Sequence, residues 1–342
     1  MRALVWQAEH TLTLEERLPD PVPGDDEVIV QIVAAGVCAT DLHMIRGQLS
    51  FAKPPWVLGH EMSGVVRHAG HLVSSWKRGD RVVVDPVVGC GRCDRCLSGK
   101  KHLCPEGGEI GTTCGSGGYG EQVAVKSGNL YALPQGLSFE EGAMMEPLNC
   151  TLGAVDRVRG MAGSRVIVFG DGPAGLLFTQ ISRVYGASSV ALVGMNDEAL
   201  ALGRRFGADR TWNIRDGSPE ESFAAGSFDV AIEAAGSPQA VRDIFQLIAG
   251  GGTVVLYGLS GTGNPTVDPD TIVAKDLTLV TCISSPLLWG KCIELVRSGR
   301  INVRDIVTHR APLEEAVVLI PSMTAGHRRI GKLILIHSSA DA

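Results

Sequence analysis

The 342-residue chain has no excess of basic charge and no long apolar segment. It carries 31 lysines and arginines against 37 aspartates and glutamates, a formal net charge of −6 at pH 7. It therefore lacks the basic surface expected of a nucleic-acid-binding protein. No apolar run approaches the roughly 20 residues of a membrane helix, and the first residues show no signal-peptide core. We expect a cytoplasmic protein without nucleic-acid or membrane partners.

The number and placement of the cysteines argue against a disulfide framework. There are nine, an odd number, and four fall between residues 90 and 104. In a long chain without a secretion signal, such a cluster indicates a metal site instead. Cys90, Cys93, Cys96 and Cys104 can surround one zinc ion tetrahedrally. The alternatives are incidental thiols or an iron–sulfur cluster, but a ferredoxin run places its fourth cysteine after only three residues. Four protein ligands leave no open position, so we predict a structural zinc that holds a lobe.

A second candidate metal site involves Cys38 and His60. A thiolate and an imidazole suit a borderline-soft divalent metal, and a carboxylate could complete the site. Three protein ligands keep a fourth position open for water or substrate, which is the catalytic arrangement. Either residue alone more often serves packing, so this interpretation depends on the surrounding motifs.

A glycine-rich segment indicates a dinucleotide-binding site. The sequence GDGPAG at 170–175 follows a predicted apolar strand at 165–169 and precedes a predicted helix at 176–185. That context is what a G-x-G-x-x-G motif requires. Its glycines let the backbone approach a pyrophosphate at the helix N-terminus. The predicted cofactor-binding residues of this segment are Gly170, Gly172, Pro173, Ala174 and Gly175.

The end of the next strand departs from the usual NAD pattern. An aspartate or glutamate normally binds the ribose 2′-hydroxyl there, whereas this chain has Gly194, Met195 and Asn196, which we predict to line the cofactor site. Loss of the acid removes repulsion against a 2′-phosphate, yet no arginine lies beside it. Asp197 could still reach the ribose. The sequence slightly favours NADP tolerance and leaves the choice between NAD and NADP open.

Strands and helices alternate over residues 149–285, which predicts a doubly wound parallel sheet. Short strands in residues 1–148 predict a β-rich domain, to which residues 286–342 return. We therefore predict an α/β protein with a catalytic domain at 1–148 and 286–342 and a cofactor domain at 149–285. The predicted C-terminal elements are a last sheet strand at 276–285, helices at 286–300 and 312–321, and a closing strand at 331–336.

These motifs together resemble the zinc-dependent alcohol dehydrogenases of the medium-chain dehydrogenase/reductase superfamily. The segment Cys38–His43 resembles that family's zinc-ligand and proton-relay segment. The sequence Glu-Pro-Leu at 146–148 is similar to the polyol dehydrogenases, which include sorbitol- and threonine-dehydrogenase-like members. The positions that match the family's zinc signature are Gly59, His60, Glu61, Gly64, Gly70 and Val73.

The resemblance implies a GroES-like β-rich catalytic domain and a Rossmann cofactor domain. It implies a catalytic zinc held by Cys38 and His60 together with Glu61 or Glu146. Glu146 would ligate the zinc or hold its bound water, and Glu61 could exchange with that water. In this family the last strand of the cofactor sheet pairs across a dimer axis, so a homodimer or homotetramer is implied.

The resemblance also assigns roles in the chemistry. Thr40 would hydrogen-bond the substrate oxygen, and His43 would pass a proton to solvent. Glu61 completes the predicted catalytic set, and Asp41 would orient His60. The implied function is reversible, zinc-dependent oxidation of a secondary alcohol to a ketone, with hydride transfer to NAD or NADP. A polyol, a cyclitol or aminocyclitol, or an amino alcohol would suit this site as its small-molecule substrate.

One alternative is a non-catalytic protein of the same fold that binds zinc and nucleotide. Such a protein can lose ligand or relay residues without penalty, whereas all of them are present here. A zinc-free quinone reductase of the same fold should lack the four-cysteine lobe. The complete set of ligands therefore favours the dehydrogenase.

Overall fold

The structure is a computed structural model that describes residues 1–49, 51–261, 267–324 and 331–337. The chain divides into two compact units. No helix within the described ranges is both long enough and apolar enough to cross a membrane. The first unit comprises Met1–Glu146, Pro286–Arg297 and Val303–Ala342, and the second comprises Pro147–Ser285 and Ser298–Asn302.

Seventeen strands lie in the described residues. Those of the first unit are rich in valine and isoleucine, residues that fit a pleated, half-buried surface. In chain order they are β1 (Ala3–Ala8), β2 (Thr11–Glu15), β3 (Glu27–Gly36), β4 (Glu61–Ala69), β5 (Arg81–Val84), β6 (Val87–Val88), β7 (Gly108–Glu109), β8 (Gln122–Lys126), β9 (Leu130–Ala132), β10 (Arg165–Phe169), β11 (Ser189–Gly194), β12 (Arg210–Asn213), β13 (Phe228–Glu233), β14 (Ile248–Leu256), β15 (Thr278–Val280), β16 (His309–Ala311) and β17 (Leu333–Ile336).

Eleven α-helices connect the strands in the same described residues. Several begin at a side chain that accepts backbone N–H groups, as Ser138 does from Glu141, because the first turn of a helix has no internal partners for these donors. The helices are α1 (Ala39–Ile45), α2 (Asp94–Leu97), α3 (Phe139–Ala143), α4 (Met145–Asp156), α5 (Pro173–Val184), α6 (Asp197–Arg205), α7 (Pro219–Ser222), α8 (Pro238–Leu247), α9 (Pro269–Ala274), α10 (Trp289–Arg297) and α11 (Leu313–Thr324).

The first unit is built on a seven-stranded, mainly antiparallel sheet. Its strand order is β16-β17-β3-β4-β5-β9, with β8 also paired to β3. The inward side chains of β3, β4, β5, β8 and β17 meet those of β1 and α11 in one buried apolar core. The central pair β3 and β4 places Gly36 opposite Glu61. This register brings the ends of both strands to the residues predicted to bind metal.

The second unit is a six-stranded parallel sheet in the order β12-β11-β10-β13-β14-β15. This is the strand order of dinucleotide-binding folds, in which the ligand lies at the carboxyl ends of the strands. β10 and β11 are almost entirely buried, as expected for strands covered by helices on both faces. The predicted α/β class, a GroES-like β-rich part with a Rossmann-type sheet, is confirmed.

All four predicted C-terminal elements have different bounds in the structure, and the closing strand predicted at 331–336 is Leu333–Ile336. The strand predicted at 276–285 covers only Thr278–Val280, because Asp276 has a φ of 50°, outside the β region. The helix predicted at 286–300 is Trp289–Arg297, and Gly299 follows it with a φ of 71°, a conformation that ends helices. The helix predicted at 312–321 is Leu313–Thr324 and contains Pro321. Backbone angles that the hydrophobic pattern does not report thus limit the last strand of the parallel sheet and α10.

Candidate active site

Cys38 lies where β3 gives way to α1. It is the residue before the helix, and its backbone N–H donates to Asp41 Oδ2 at 2.9 Å. Aspartate three positions into a helix commonly caps such an end, because it accepts a donor that has no partner within the helix. The helix start therefore fixes the backbone on which the Cys38 thiol is carried.

Glu61 is the first residue of β4, and His60 precedes it. Only 4% of His60 and 1% of Glu61 is exposed. The Glu61 carboxylate lies against Gly36 on the neighbouring strand, where a Cβ atom would stand 1.8 Å from Glu61 Oε2. A side chain at position 36 would therefore displace the carboxylate. Glycine at the end of β3 gives Glu61 its place.

These elements bring three candidate metal ligands together. One ligand atom each from Cys38, His60 and Glu61 lies within 4.8 Å of the other two. Sulfur, imidazole nitrogen and carboxylate oxygen form a donor set that fits Zn²⁺ with one coordination position left open. The buried Glu61 carboxylate would also gain a further counter-charge from a cation. The residues present therefore fit a catalytic zinc.

Asp41 is completely buried behind this group. Its Oδ1 lies 3.4 Å from His60 Nδ1, and its Oδ2 accepts a 2.9 Å hydrogen bond from the Tyr119 hydroxyl. Burial raises the pKa of Tyr119 well above its ordinary value, as does the Asp41 charge, so the phenol remains a donor. With Nδ1 facing Asp41, His60 presents Nε2 to a metal. Carboxylates commonly orient ligand histidines in this way.

The same carboxylate affects the protonation of His60. Burial alone would lower the pKa of this imidazole, but the charges of Asp41 and Cys38 raise it well above its ordinary value. These charges favour the protonated form of His60. A metal ion must displace that proton to bind.

Lys332 is a buried cation that sequence reasoning missed. Its ammonium group pairs with Glu61 Oε2 and donates to the Val37 carbonyl oxygen at 3.2 Å. Burial alone would lower the pKa of Lys332, but the charges of Glu61 and Cys38 raise it above its ordinary value, so it stays charged. The lysine precedes β17, which pairs with β3. No local motif indicated it, since 271 residues separate it from Glu61.

The other predicted active-site residues lie around this group. Glu146 is buried in the first turn of α4 and is not one of the three residues within 4.8 Å of one another, but its charge contributes to raising the pKa of Lys332. Thr40 and His43 both lie on α1, and His43 Nδ1 is 2.6 Å from Gln48 Oε1. The structure thus places Thr40 and His43 on the helix that begins at the Cys38 ligand.

The four predicted lobe cysteines also come together. One sulfur each from Cys90, Cys93, Cys96 and Cys104 lies within 4.8 Å of the other three. Backbone N–H groups of Arg92 and Cys93 lower the pKa of the Cys90 thiol to about 6. Such donors favour the thiolate that zinc binds. A cluster of four sulfurs and no other ligand type fits a structural zinc.

The lobe is tied to the sheet of the first unit by a buried charge. Lys101 follows the short helix α2, and its ammonium lies 2.7 Å from Asp85 Oδ2. Asp85 is completely buried, and burial raises the pKa of its carboxyl although Lys101 opposes this. The ion pair fixes one end of the lobe at the end of β5.

The glycine-rich loop in the second unit joins β10 to α5. Gly170 has a φ of 113°, a region that favours glycine. A Cβ on Gly175 would stand 1.7 Å from the Gly170 carbonyl oxygen, so helix and loop can approach only with glycine there. Pro173 and Ala174 open α5 after Gly172. Free backbone N–H groups at this helix start suit a pyrophosphate.

The end of β11 is shaped by a residue of that loop. Asp171 Oδ2 accepts hydrogen bonds from Met195 N at 2.8 Å and Asn196 N at 2.6 Å. Asn196 caps α6 with its own side chain. Sequence reasoning missed Asp171, although it stands inside the fingerprint. Its position between the motif glycines Gly170 and Gly172 could have indicated a role in cofactor binding.

A cavity of about 400 Å³ opens beside these residues at the carboxyl end of the parallel sheet. A dinucleotide fold binds its cofactor at this end. Asp171 and Asp243 are its charged lining residues among those described. The full lining comprises Phe169, Gly170, Asp171, Val193, Gly194, Met195, Ile214, Gly217, Ser218, Pro219, Ala235, Ser237, Gln239, Ala240 and Asp243.

Both parts of the chain match known protein families. Residues 24–135 match the alcohol dehydrogenase GroES-like domain, and residues 173–297 match the zinc-binding dehydrogenase family. The sorbitol dehydrogenase of Gallus gallus is 32% identical over 324 residues, covering 92% of this chain and 91% of the relative. The L-threonine 3-dehydrogenase of Bacillus licheniformis is 30% identical over 346 residues, covering 98% and 99%.

Solved structures share the fold over nearly the whole chain. A zinc-binding dehydrogenase from Sinorhizobium meliloti 1021, bound to NADP, has a TM-score of 0.89 and 31% identity, with 98% of each chain covered. An alcohol dehydrogenase from Escherichia coli CFT073, complexed with NADH, has a TM-score of 0.87 and 27% identity, covering 98% of this chain and 99% of the other. Similar proteins thus carry either nicotinamide cofactor.

Proposed function

The chain belongs to the zinc-dependent medium-chain dehydrogenases, in the polyol-dehydrogenase-like group, and we propose that it oxidises a secondary alcohol with adjacent hydroxyl or amino groups to a ketone. Membership makes it a zinc- and NAD(P)-dependent oxidoreductase acting on CH–OH groups. A polyol, a cyclitol or aminocyclitol, and an amino alcohol are the candidate substrate classes. The observation that carries the proposal is the group of Cys38, His60 and Glu61, in which one ligand atom of each residue lies within 4.8 Å of the other two.

In the proposed mechanism, Cys38, His60 and Glu61 hold the catalytic zinc. When bound there, zinc supplies a Lewis acid that lowers the pKa of the substrate hydroxyl, and the nicotinamide accepts the hydride. Asp41 keeps the His60 ring in the orientation that presents Nε2 to the metal. Glu146, in the first turn of α4, would be the alternative carboxylate for this metal.

Protons leave along α1 in this proposal. Thr40, two residues after Cys38, would hydrogen-bond the substrate oxygen and would be the first protein group in the path of its proton. His43, one turn further, would exchange that proton with solvent. Its contact with Gln48, at 2.6 Å from Nδ1, holds the ring and leaves Nε2 to carry the proton.

Cys90, Cys93, Cys96 and Cys104 would hold the structural zinc, and the loop at 170–175 the cofactor pyrophosphate. We also propose a homodimer or homotetramer, in which β15, at the edge of the parallel sheet, pairs with a second copy. Its exposed Leu279 (41% accessible) would be covered there. Sedimentation equilibrium of the purified chain tests this part, and a monomer at micromolar concentration would refute it.

The decisive experiment combines metal analysis with initial rates. Purified protein should contain about two zinc ions per chain and oxidise members of one class among sorbitol, xylitol, myo-inositol and L-threonine. His60→Ala should lose turnover and retain about one zinc ion per chain. Cys114→Ala, which lies outside both metal groups, should keep turnover and about two zinc ions. One zinc per chain and no turnover of any alcohol would refute the proposal and favour a non-catalytic binding protein.

A further inference from the structure

We propose that Asp171, in the loop after β10, replaces the acid missing from the end of β11 and selects NAD over NADP. The inference rests on the dinucleotide site of the proposed function, but not on the identity of the alcohol. The carboxylate would accept from the adenosine ribose hydroxyls and repel a 2′-phosphate. Asp171 would thus be a specificity-determining residue supplied from a different segment than usual.

Asp171 occupies the volume next to Gly194. A Cβ built on Gly194 would stand 2.4 Å from each of Asp171 Cβ, Cγ and Oδ2. The loop carboxylate therefore fills the space where a side chain on residue 194 would begin. An acidic side chain on residue 194 and Asp171 in this position therefore exclude each other.

The Asp171 carboxylate is also held in a defined orientation. Its Oδ2 accepts from Met195 N at 2.8 Å and from Asn196 N at 2.6 Å. These two N–H groups are donors to which a phosphate on the ribose could otherwise bind. With Oδ2 engaged, Oδ1 is the oxygen left to accept from a ribose hydroxyl. The same contact thus leaves Oδ1 as an acceptor for a ribose hydroxyl. It also makes the two backbone N–H groups unavailable to a bound phosphate.

The charged side chains that line the cavity, among the described residues, are all acidic. The described residues that line it include Asp171 and Asp243 and neither lysine nor arginine. A 2′-phosphate carries a charge of roughly −1.5 to −2 at neutral pH and would enter beside two acidic side chains without a counter-charge. Asp197, the acid that the sequence suggested for the ribose, instead accepts from Asn213 Nδ2 at 2.7 Å. The geometry therefore favours Asp171 for this role.

Binding measurements test the inference without any turnover. Calorimetric titrations would compare NADH, NADPH, ADP-ribose and 2′-phospho-ADP-ribose on the zinc-loaded protein. The wild type should bind NADH and ADP-ribose more tightly than their phosphorylated counterparts. Asp171→Asn keeps an oxygen that can accept from Met195 N but loses the charge. This variant should bind ADP-ribose about tenfold or more weakly than the wild type. The difference in affinity between ADP-ribose and 2′-phospho-ADP-ribose should become smaller. Asp197→Asn, the matched control, should leave both constants unchanged.

A transfer of the carboxylate gives a second test. Asp171→Gly should lose the preference, and Asp171→Gly combined with Gly194→Asp should regain it, because the removed side chain frees the space next to Gly194. Unchanged affinity ratios in Asp171→Asn and Asp171→Gly variants that unfold at the wild-type temperature would overturn the inference. So would tight 2′-phospho-ADP-ribose binding by the wild type that is lost in Arg215→Gln, because Arg215, which follows the lining residue Ile214 in sequence, would then bind the phosphate. A protein that shows the predicted affinities but oxidises no alcohol would refute the proposed function and support this inference.

Discussion

Replacing Lys332 by methionine isolates the buried ion pair beneath the candidate zinc site. The side chains of Lys332 and Glu61 are 3% and 1% exposed, so removing the ammonium leaves a carboxylate with almost no access to water. Methionine has similar length and no charge. The substitution therefore removes the charge with little change in the packed volume.

The expected cost follows from the burial of both partners. Leaving one charge of a buried pair unpaired destabilises a protein by about 3–5 kcal/mol. For a unit of this size, that corresponds to a fall of about 6–20 °C in the unfolding temperature. The lost contact to the Val37 carbonyl oxygen, 3.2 Å from Nζ, acts in the same direction. Zinc should reduce the cost, because a metal bound to Glu61 supplies another counter-charge.

Lys126→Met is a matched control in the same unit. Lys126 pairs with Asp26 at 2.7 Å, but the side chains are 48% and 56% exposed. An exposed pair contributes only about 0–1 kcal/mol, so the identical substitution should barely move the unfolding temperature. The contrast between the two lysines measures the effect of burial.

The assay is thermal and urea unfolding of protein stripped of metal with a chelator. Lys332→Met, Glu61→Gln and the double variant form a cycle, whose coupling should exceed about 1 kcal/mol for groups in contact. The reasoning is refuted by a loss of less than about 1 kcal/mol in Lys332→Met, or by additive effects in the cycle.

Three further predictions concern metal binding and pH. Asp41→Asn should lower the affinity of the catalytic zinc by about 10- to 100-fold, measured by chelator competition, with the lobe zinc unaffected; equal loss from both sites would contradict the role of Asp41. Cys93→Ser should leave about one zinc per chain by elemental analysis while Cys114→Ser keeps two; retention of both ions by Cys93→Ser would exclude the four-cysteine site. Burial lowers the pKa of His337 to about 4 from 6.5, so the folded state binds its proton less readily than the unfolded chain. The free energy of unfolding should therefore fall by about 3 kcal/mol as the pH drops from 6.5 to 4. Chemical unfolding of His337→Gln should show a shallower decline over the same range. Identical pH profiles of the two proteins would contradict the role of His337.

Much of the fold and both metal groups were predictable from local patterns. The spacing of Cys90, Cys93 and Cys96 lets neighbouring backbone positions direct several sulfurs to one point, so the sequence alone indicates zinc. The glycine motif at 170–175 is likewise recognisable from the sequence, because a β-branched strand precedes it and a helix follows it. Such signals extend over fewer than about 30 residues, in the range where a local chain segment determines its geometry.

Element ends were less predictable. The last parallel strand pairs only Thr253 to Val255 with Thr278 to Val280, whereas the prediction extended it through the mixed sequence Thr-Cys-Ile-Ser-Ser at 281–285. Strand length depends on the partner strand and on backbone angles such as that of Asp276, which the hydrophobic pattern does not report.

The sequence by itself determined the fold class, the donor types at both metal groups and the dinucleotide fingerprint. The tertiary structure alone revealed the partners of these groups: Lys332 beside Glu61, Tyr119 behind Asp41, and Asp171 in the space next to Gly194. Lys332 and Tyr119 lie 271 and 78 residues from their partners in sequence. Strand register sets such contacts, because pairing β3 with both β4 and β17 brings the ends of distant segments together. Burial then gives those contacts their strength, since a charge without water must have a nearby partner.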